Sequence, residues 1–145
     1  QYLFELEGKS PYMLLVAPLR ESHRNVLPAN FQQLSLWERL YCPRSELQAI
    51  THLDFSARVQ TVHVSTNPNF YNLLQSFKSK TGIGVLVNTS FNVRGEPIVC
   101  TPADAYRCFM STDMDVLVLN NYLFIKEEQP DYANKEKWMI NFAKD

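Results

Sequence analysis

The sequence predicts a mixed α/β fold formed by a single domain. Two segments have apolar residues at helical spacing, one around residues 70–77 and one from residue 102 onward. Short apolar or alternating runs, which are typical of strands, lie before, between and after these segments. With 145 residues, 46% of them hydrophobic, the chain is long enough to bury a core of its own.

Composition excludes several classes of protein. The formal net charge of -1 argues against a general nucleic-acid binder, which would carry a strongly basic balance. No apolar run reaches the length of a membrane span, and the first residues lack the layout of a signal peptide, so we expect a cytoplasmic location. Cys42, Cys100 and Cys108 lack the spacing of a metal site, so we interpret them as reduced thiols that act as small hydrophobic side chains.

The predicted elements of the first half are strands joined by one long connection. An apolar strand covers residues 12–17 and stops at Pro18. Residues 20–46 follow as an irregular segment interrupted by prolines, whose length indicates a lid or an interface. Residues 49–55 and 58–63 each alternate apolar and polar positions, which is the period of a strand.

The second half is predicted to contain two helices and a hairpin. The first helix begins at the Thr-Asn-Pro cluster of residues 66–68 and ends at Gly82, and its apolar stripe indicates core packing. The second helix runs over residues 102–111, after an N-cap threonine. Residues 116–125 form paired strands around an Asn-Asn turn, because asparagine tolerates positive φ.

The most polar stretch, residues 88–97, lies between a predicted buried strand at residues 84–87 and the second helix. In open α/β sheets, groups that bind ligands lie at the carboxyl end of a strand. A simple turn would need only glycine and proline, yet this stretch holds Asn88, Thr89, Ser90, Asn92, Arg94, Gly95 and Glu96. Amides, hydroxyls and one planar cation suit a phosphate and a planar polar group, and the following helix N-terminus favours anions. We predict the binding site here.

A second group of polar side chains consists of His52, Asp54, Arg58 and Gln60. Near a strand end, His52 and Arg58 would add positive charge to the site. The alternative is that Asp54 pairs with one of them on a solvated sheet face, and the sequence leaves both interpretations open. A Ser-His-Asp triad could be drawn through His52 and Asp54, but residues on neighbouring strands rarely supply one, and Ser90 is not in a Gly-x-Ser-x-Gly turn. The Gly-rich P-loop with its lysine is also absent.

Several motifs in order resemble the C-terminal domain of the O-carbamoyltransferases, a family that includes nodulation-factor and antibiotic-tailoring enzymes. The motifs are THLDFSARVQTV at residues 51–62, NTSFNVRGEPI at 88–98, SPYM at 10–13, TPADAYR at 101–107 and TDMD at 112–115. The resemblance covers residues 2–126, nearly the whole chain. It implies a YrdC-like fold, a twisted mixed α/β sheet with flanking helices, truncated on its N-terminal side.

The resemblance also implies an activity. In this family, the C-terminal domain is understood to form carbamoyl-adenylate from carbamoyl phosphate and ATP with Mg²⁺, releasing pyrophosphate. A separate N-terminal, metal-binding domain then transfers the carbamoyl group to an acceptor hydroxyl. By this resemblance, Ser90 and Asn92 contact the adenylate phosphate and the carbamoyl group, and Arg58 binds phosphate with help from Arg94. The remaining binding residues are His52, Asn88, Thr89, Gly95 and Glu96.

One departure from the family bears on activity. Full-length members carry a basic segment ahead of residues 10–13, together with the N-terminal domain, and neither is present here. We therefore expect a fragment that is inactive alone, whose partners are small-molecule substrates, that missing domain and another copy of the chain. Residues 127–145 are predicted to form a terminal helix that packs on the body of the protein or on a partner. No metal site is predicted in the fragment itself. The alternatives are a non-catalytic nucleotide- or RNA-binding YrdC-like module and a structural oligomerisation domain.

Overall fold

A computed structural model describes residues 2–131, and these divide into two compact units, Gln1–Val87 and Asn88–Asp145. Helices and small antiparallel sheets occur together in the chain, which confirms the predicted mixed α/β class. Within residues 2–131, no helix combines the length and the apolar character needed to cross a membrane. The terminal helix predicted for residues 127–145 falls largely outside the described residues, which show only a 3-10 turn at Lys126–Glu128.

The first unit is built on a two-stranded antiparallel ribbon. Strand β1 (Leu15–Pro18) pairs with strand β2 (Ser56–Val59), so that Ala17 lies opposite Ala57 and both side chains are buried. Leu19, which is fully buried, extends the pairing by a bridge to Phe4. The core of this unit therefore consists of small residues on the ribbon covered by large ones from the N-terminal segment, namely Leu3, Phe4 and Leu19.

The connection between β1 and β2 is ordered by one buried cation. Helix α1 (Leu36–Tyr41) starts at a capping box formed by Ser35 and Glu38, and Arg44 follows its last turn. The Arg44 side chain is only 2% exposed, and its guanidinium donates hydrogen bonds of 2.7–3.3 Å to backbone carbonyls of Arg39, Leu40, Cys42 and Thr51. Because Cys42 and Thr51 lie on either side of it, Arg44 fastens the helix end to the segment that enters β2.

Helix α2 (Pro68–Thr81) has the predicted boundaries, with Asn67 as N-cap and Gly82 in the left-handed conformation at its C-terminus. The interpretation of its apolar stripe as core was wrong. Phe70, Leu73 and Phe77 are 37%, 53% and 36% exposed, and no residue of α2 is buried. The pattern predicted the helix correctly because periodicity follows from the backbone, whereas burial depends on what packs against it.

Two predicted strands of the first unit are absent. Residues 84–87 pair with no strand among the described residues; Val85 packs on the core while Val87 is 61% exposed. Residues 49–55 form a 3-10 turn, Gln48–Ile50, and a tight bend instead of a strand. In that segment, hydrogen bonds between backbone groups and nearby side chains replace the ladder, which is how Ser, Thr and Asp oppose regular structure.

The second unit packs one helix on one hairpin. Helix α3 (Pro102–Ser111) buries Ala105 and Phe109 against Leu117 of the hairpin formed by strands β3 (Val116–Leu119) and β4 (Tyr122–Ile125). The turn falls at residues 120–121, as predicted. At the other end of α3, the Lys126 ammonium donates to the carbonyls of Phe109 and Thr112, which satisfies the last turn of the helix.

The hairpin turn yields a stability prediction. Asn120 has φ of 53°, a region that β-branched residues reach only at a cost of about 1–2 kcal/mol. We expect Asn120→Val to lower the free energy of unfolding by about that amount and Asn120→Gly to leave it unchanged or raised, as measured by urea denaturation. The matched control is Asn121→Val, since Asn121 has a negative φ. Equal losses in the two valine variants would contradict the argument.

The buried cation yields a second prediction. Arg44→Ala removes five hydrogen bonds of a buried guanidinium, among them both donors to the Thr51 carbonyl, so we expect the free energy of unfolding to fall by about 3 kcal/mol. Arg44→Lys should recover only part of this loss, because an ammonium cannot reproduce the planar fork. Arg39→Ala serves as the control, since Arg39 is on α1 but only half-buried, and it should cost about 1 kcal/mol. Similar losses of unfolding free energy in the two alanine variants would contradict the special role of Arg44.

Candidate functional site

The predicted site residues are divided between the two units. His52 and Arg58 belong to the first unit, and the predicted loop residues, from Asn88 to Glu96, belong to the second. Each group is therefore described within its own unit. In both, the structure separates side chains that are occupied in holding the backbone from side chains that face solvent.

The loop of the second unit is closed by its own hydrogen bonds. The Glu96 N–H donates to the Val93 carbonyl at 3.0 Å, and Gly95 supplies the positive φ of 82° that this turn requires. The Asn92 amide nitrogen donates to the carbonyls of Val93 and Glu96 at 3.1 and 2.8 Å. Both hydrogens of the Asn92 amide are thus used within the loop, and only its oxygen remains to meet a substrate.

The closed loop is anchored on the core beneath it. Val99 N–H donates to the Phe91 carbonyl at 3.0 Å, and both side chains pack against the α3–hairpin core. The half-buried Glu96 carboxylate accepts from Val93 N–H at 3.3 Å and lies beside Cys108. Burial first, and then this carboxylate, raise the pKa of the Cys108 thiol, so Cys108 is the buried, unreactive side chain that the sequence predicted. Cys100, by contrast, is exposed.

The side chains that the loop presents outward are those of Asn88, Thr89, Ser90 and Arg94, all of them exposed. They combine an amide, two hydroxyls and a guanidinium within a short stretch whose far end is fixed by the closed turn. Such a set can donate several hydrogen bonds to phosphoryl oxygens and to a planar amide. Gly95 and Glu96, predicted as binding residues, serve the turn itself.

The helix N-terminus that follows the loop already holds a carboxylate. Thr101 and Asp104 form a capping box in which Asp104 Oδ2 accepts from the Thr101 N–H at 3.0 Å and from its hydroxyl at 2.7 Å. These bonds lower the pKa of Asp104, so the group is an anion, and Arg107 pairs with it. This end of α3 thus carries an anion of its own, and our expectation that it favours a substrate anion stays a prediction.

The first unit contains a short chain of polar side chains that sequence reasoning only partly identified. Ser56 Oγ donates to Asp54 Oδ1 at 2.6 Å, and His52 Nδ1 lies 3.0 Å from the same Ser56 Oγ. The order is Asp-Ser-His, with serine in the middle, so this is not the Ser-His-Asp triad drawn from the sequence. Hydrogen bonds from Ser56 lower the pKa of Asp54. Ser56, which lies at the start of β2, was not among the predicted site residues.

The bend that carries His52 is held in a strained shape. Phe55 has φ of 62°, a conformation that costs a bulky residue about 1–2 kcal/mol. Its carbonyl accepts from Leu19 N–H at 2.8 Å, and the guanidinium of Arg24 stacks 5.3 Å from its ring. These contacts explain how the strained residue is tolerated. Strain of this kind concentrates at functional sites.

Arg58 lies on strand β2 with an exposed side chain, two residues beyond the buried Ser56. Its neighbour across the ribbon is Val16, which is 58% exposed, so both stand on the open face of the sheet. The position leaves the guanidinium accessible to a ligand. Neither an Asp54–Arg58 nor an Asp54–His52 ion pair is found within residues 2–131, because Asp54 is occupied by Ser56.

No group of three or more His, Cys, Asp or Glu side chains that could hold a metal ion occurs within the part of the chain that the structure describes. Asp113 and Asp115 lie between α3 and β3, in the turn from helix to strand.

Comparison with known proteins shows which family this chain is related to. Residues 1–126 match the family described as "Carbamoyltransferase C-terminus". An uncharacterized protein of Synechocystis is 58% identical over 98% of this chain and 23% of its own length. The nodulation protein NolNO of Sinorhizobium fredii is 38% identical over 88% of this chain and 15% of its own length. The 3'-hydroxymethylcephem-O-carbamoyltransferase of Amycolatopsis lactamdurans is 37% identical over 70% of this chain and 15% of its own length.

This chain thus corresponds to between 15% and 23% of the length of these relatives. The family match extends over most of the sequence and includes both groups of candidate residues. The resemblance inferred from the motifs is therefore confirmed, and the chain belongs to the carbamoyltransferase C-terminal family.

Proposed function

We propose that this chain is the carbamoyl-activating domain of an O-carbamoyltransferase. It converts carbamoyl phosphate and one water molecule into carbamate and inorganic phosphate, and the carbamate oxygen then displaces pyrophosphate from ATP, supplied with Mg²⁺, to give carbamoyl-adenylate. Another, metal-binding domain then transfers the activated carbamoyl group to the hydroxyl of an acceptor molecule. Family membership supports the carbamoyl-transfer context, and a relative is named for O-carbamoyl transfer to a hydroxymethylcephem.

The single observation that carries the proposal is the exposed row of Thr89, Ser90 and Arg94 beside a loop that satisfies its own donors. Adenylate formation is a displacement at phosphorus, in which the protein mainly aligns the reactants and stabilises developing negative charge. Hydroxyl donors and a guanidinium on a fixed turn meet that requirement without a nucleophile or a general base. The Asn92 oxygen can accept one hydrogen bond from the carbamoyl amide, because its nitrogen is held by the loop.

Arg58 is the second cation of the proposal. Its exposed guanidinium on β2 can form a bidentate contact with a phosphate of carbamoyl phosphate. Since the side chain contributes to no buried contact, its removal should change binding and leave the fold intact.

The first test replaces this cation. We expect Arg58→Ala to weaken the binding of carbamoyl phosphate about tenfold or more in calorimetric titrations, because a charge-assisted pair is lost. Urea denaturation should show the same stability as the parent. Lys80→Ala is the matched control, since it removes an exposed positive charge from α2. Unchanged affinity in a folded Arg58→Ala protein would contradict the assigned role.

The second test addresses the loop. Ser90→Ala removes one hydroxyl donor, so we expect ATP with Mg²⁺ to bind about tenfold more weakly. Ser65→Ala is the control, because Ser65 is also exposed but lies outside the candidate groups. An affinity for ATP that is equal in the parent and in Ser90→Ala would exclude Ser90 from the site.

Exchange of pyrophosphate into ATP, dependent on carbamoyl phosphate, tests whether carbamoyl-adenylate is formed. It is best measured on the long Synechocystis relative, with the residue aligned with Ser90 replaced by alanine. Exchange that falls about 10²-fold in that variant supports carbamoyl-adenylate formation. Binding of ATP without exchange would leave a nucleotide-binding module, and the activation proposal would fail.

A further inference from the structure

Three polar side chains of the first unit, Asp54, Ser56 and His52, form a continuous row of hydrogen bonds. Asp54 Oδ1 accepts from the backbone N–H and from the hydroxyl of Ser56, at 3.0 and 2.6 Å. His52 Nδ1 lies 3.0 Å from the Ser56 hydroxyl oxygen, and the backbone N–H of His52 donates to the Ser56 carbonyl at 2.8 Å. Both the backbone and the ring of His52 are therefore fixed to the start of β2.

The hydrogen bonds determine which nitrogen of His52 carries the proton. Asp54 is a carboxylate and can only accept, so the single hydroxyl hydrogen of Ser56 is directed to it. Ser56 Oγ must then accept from His52 Nδ1. The neutral ring is consequently the Nδ1–H tautomer, and its Nε2 presents a lone pair on the side of the ring away from Ser56.

Arg58 lies next to this row on the ribbon. Ser56 and Arg58 are two residues apart on β2, so their side chains are on the same face, about 6.6 Å apart along the strand. The His52 ring is bonded to Ser56, and the side chains of His52 and Arg58 are both exposed. His52 also lines a surface cavity of ≈ 420 Å³ next to helix α1. A small phosphorylated molecule held by Arg58 can thus meet His52 within the first unit.

The first step of the proposed reaction needs a proton acceptor. When water attacks carbamoyl phosphate, its oxygen forms a new bond and one of its protons must leave. The guanidinium groups of Arg58 and Arg94 cannot accept a proton. The bonds from Ser56 lower the pKa of Asp54, which makes this carboxylate a weak base. In the row, the lone pair on His52 Nε2 is therefore the acceptor best suited to the step.

We propose that His52 is the general base of this step, and that its Nε2 takes the proton from a water molecule that attacks the phosphorus of carbamoyl phosphate. The water oxygen forms the new O–P bond, and the bond from phosphorus to the carbamoyl oxygen breaks, with its electron pair leaving on carbamate. Arg58 holds the phosphoryl oxygens, and the proton passes from Nε2 to solvent afterwards. Asp54 and Ser56 are positioning residues that set the tautomer. The inference rests on the proposed function, which supplies carbamoyl phosphate as the substrate.

Hydrolysis of carbamoyl phosphate by this chain tests the step directly. Although transfer to an acceptor needs another domain, this step uses only the first unit and needs no ATP. We expect the chain to release inorganic phosphate from carbamoyl phosphate faster than a solution without protein. In water labelled with oxygen-18, attack at phosphorus places one labelled oxygen in each phosphate. Attack at carbon, or elimination to cyanate, breaks the carbon–oxygen bond and places none.

Replacement of the base should lower turnover and leave the fold intact. We expect His52→Ala to lower kcat about 10²-fold or more with little change in KM, because the proton acceptor is lost while Arg58 still binds the substrate. Added imidazole should restore part of the rate, which it would not do if His52 were merely structural. His63→Ala is the matched control, since His63 is a histidine of the same unit outside the row, and its kcat should equal that of the parent.

The role of Asp54 can be measured without any ligand. Two-bond proton–nitrogen NMR correlations, recorded in mildly alkaline buffer, distinguish the two neutral tautomers, and the chain has only 3 histidines to assign. We expect Nδ1–H for His52 in the parent. Asp54→Ala releases the Ser56 hydroxyl, which can then donate to Nδ1 and convert His52 to the Nε2–H form, so kcat should fall several-fold. Asp54→Asn keeps an acceptor oxygen and should keep both the parent tautomer and most of kcat.

Three results would each overturn the general base while leaving the proposed function standing. They are a parental kcat in His52→Ala, phosphate that carries no label from water, and an Nε2–H tautomer in the parent. Failure of the folded parent to release phosphate above the rate without protein would also overturn the step in this chain. The proposed function itself fails separately, through the absence of pyrophosphate exchange in the long Synechocystis relative.

Discussion

The first unit depends on one buried guanidinium. Arg44 replaces the donors that helix α1 lacks at its C-terminal end and reaches across to Thr51, so a helix of only six residues becomes a fixed part of the structure. Short helices are marginal by themselves. Every hydrogen bond that this guanidinium donates goes to a backbone carbonyl, so no other side chain in the connection is needed as its acceptor. The cavity at α1 and the bend at His52 both lie along the segment that Arg44 holds.

In the loop of the second unit, too, side chains satisfy backbone hydrogen-bonding groups. Polar residues in a loop must satisfy the backbone before they can serve a ligand. Here Asn92, Gly95 and Glu96 close the turn, and the exposed hydroxyls of Thr89 and Ser90 lie beside it. A polar, glycine-containing stretch is therefore a mixture of residues that build the site and residues that meet the substrate. Sequence reasoning treated all of them as binding residues.

The polar chain in the first unit shows how order changes chemistry. His52 and Asp54 were chosen for their charges, and either a solvated ion pair or a site was expected. Ser56 lies between them and joins them through two hydrogen bonds, one to each side chain. This arrangement depends on the bend around Phe55, which has an unusual backbone conformation.

By itself, the sequence determined the family, the mixed class, both long helices with their caps, and the hairpin with its asparagine turn. These features follow from local periodicity, capping and turn chemistry, which neighbouring residues carry along the chain. Tertiary structure decided whether residues 84–87 and 49–55 become strands, because a strand exists only with a partner and side-chain hydrogen bonds can replace the ladder. It also decided that the stripe of α2 is exposed, that the end of α3 is already neutralised by Asp104, and that Ser56 joins His52 to Asp54. Each of these depends on distances between residues that local pattern does not contain.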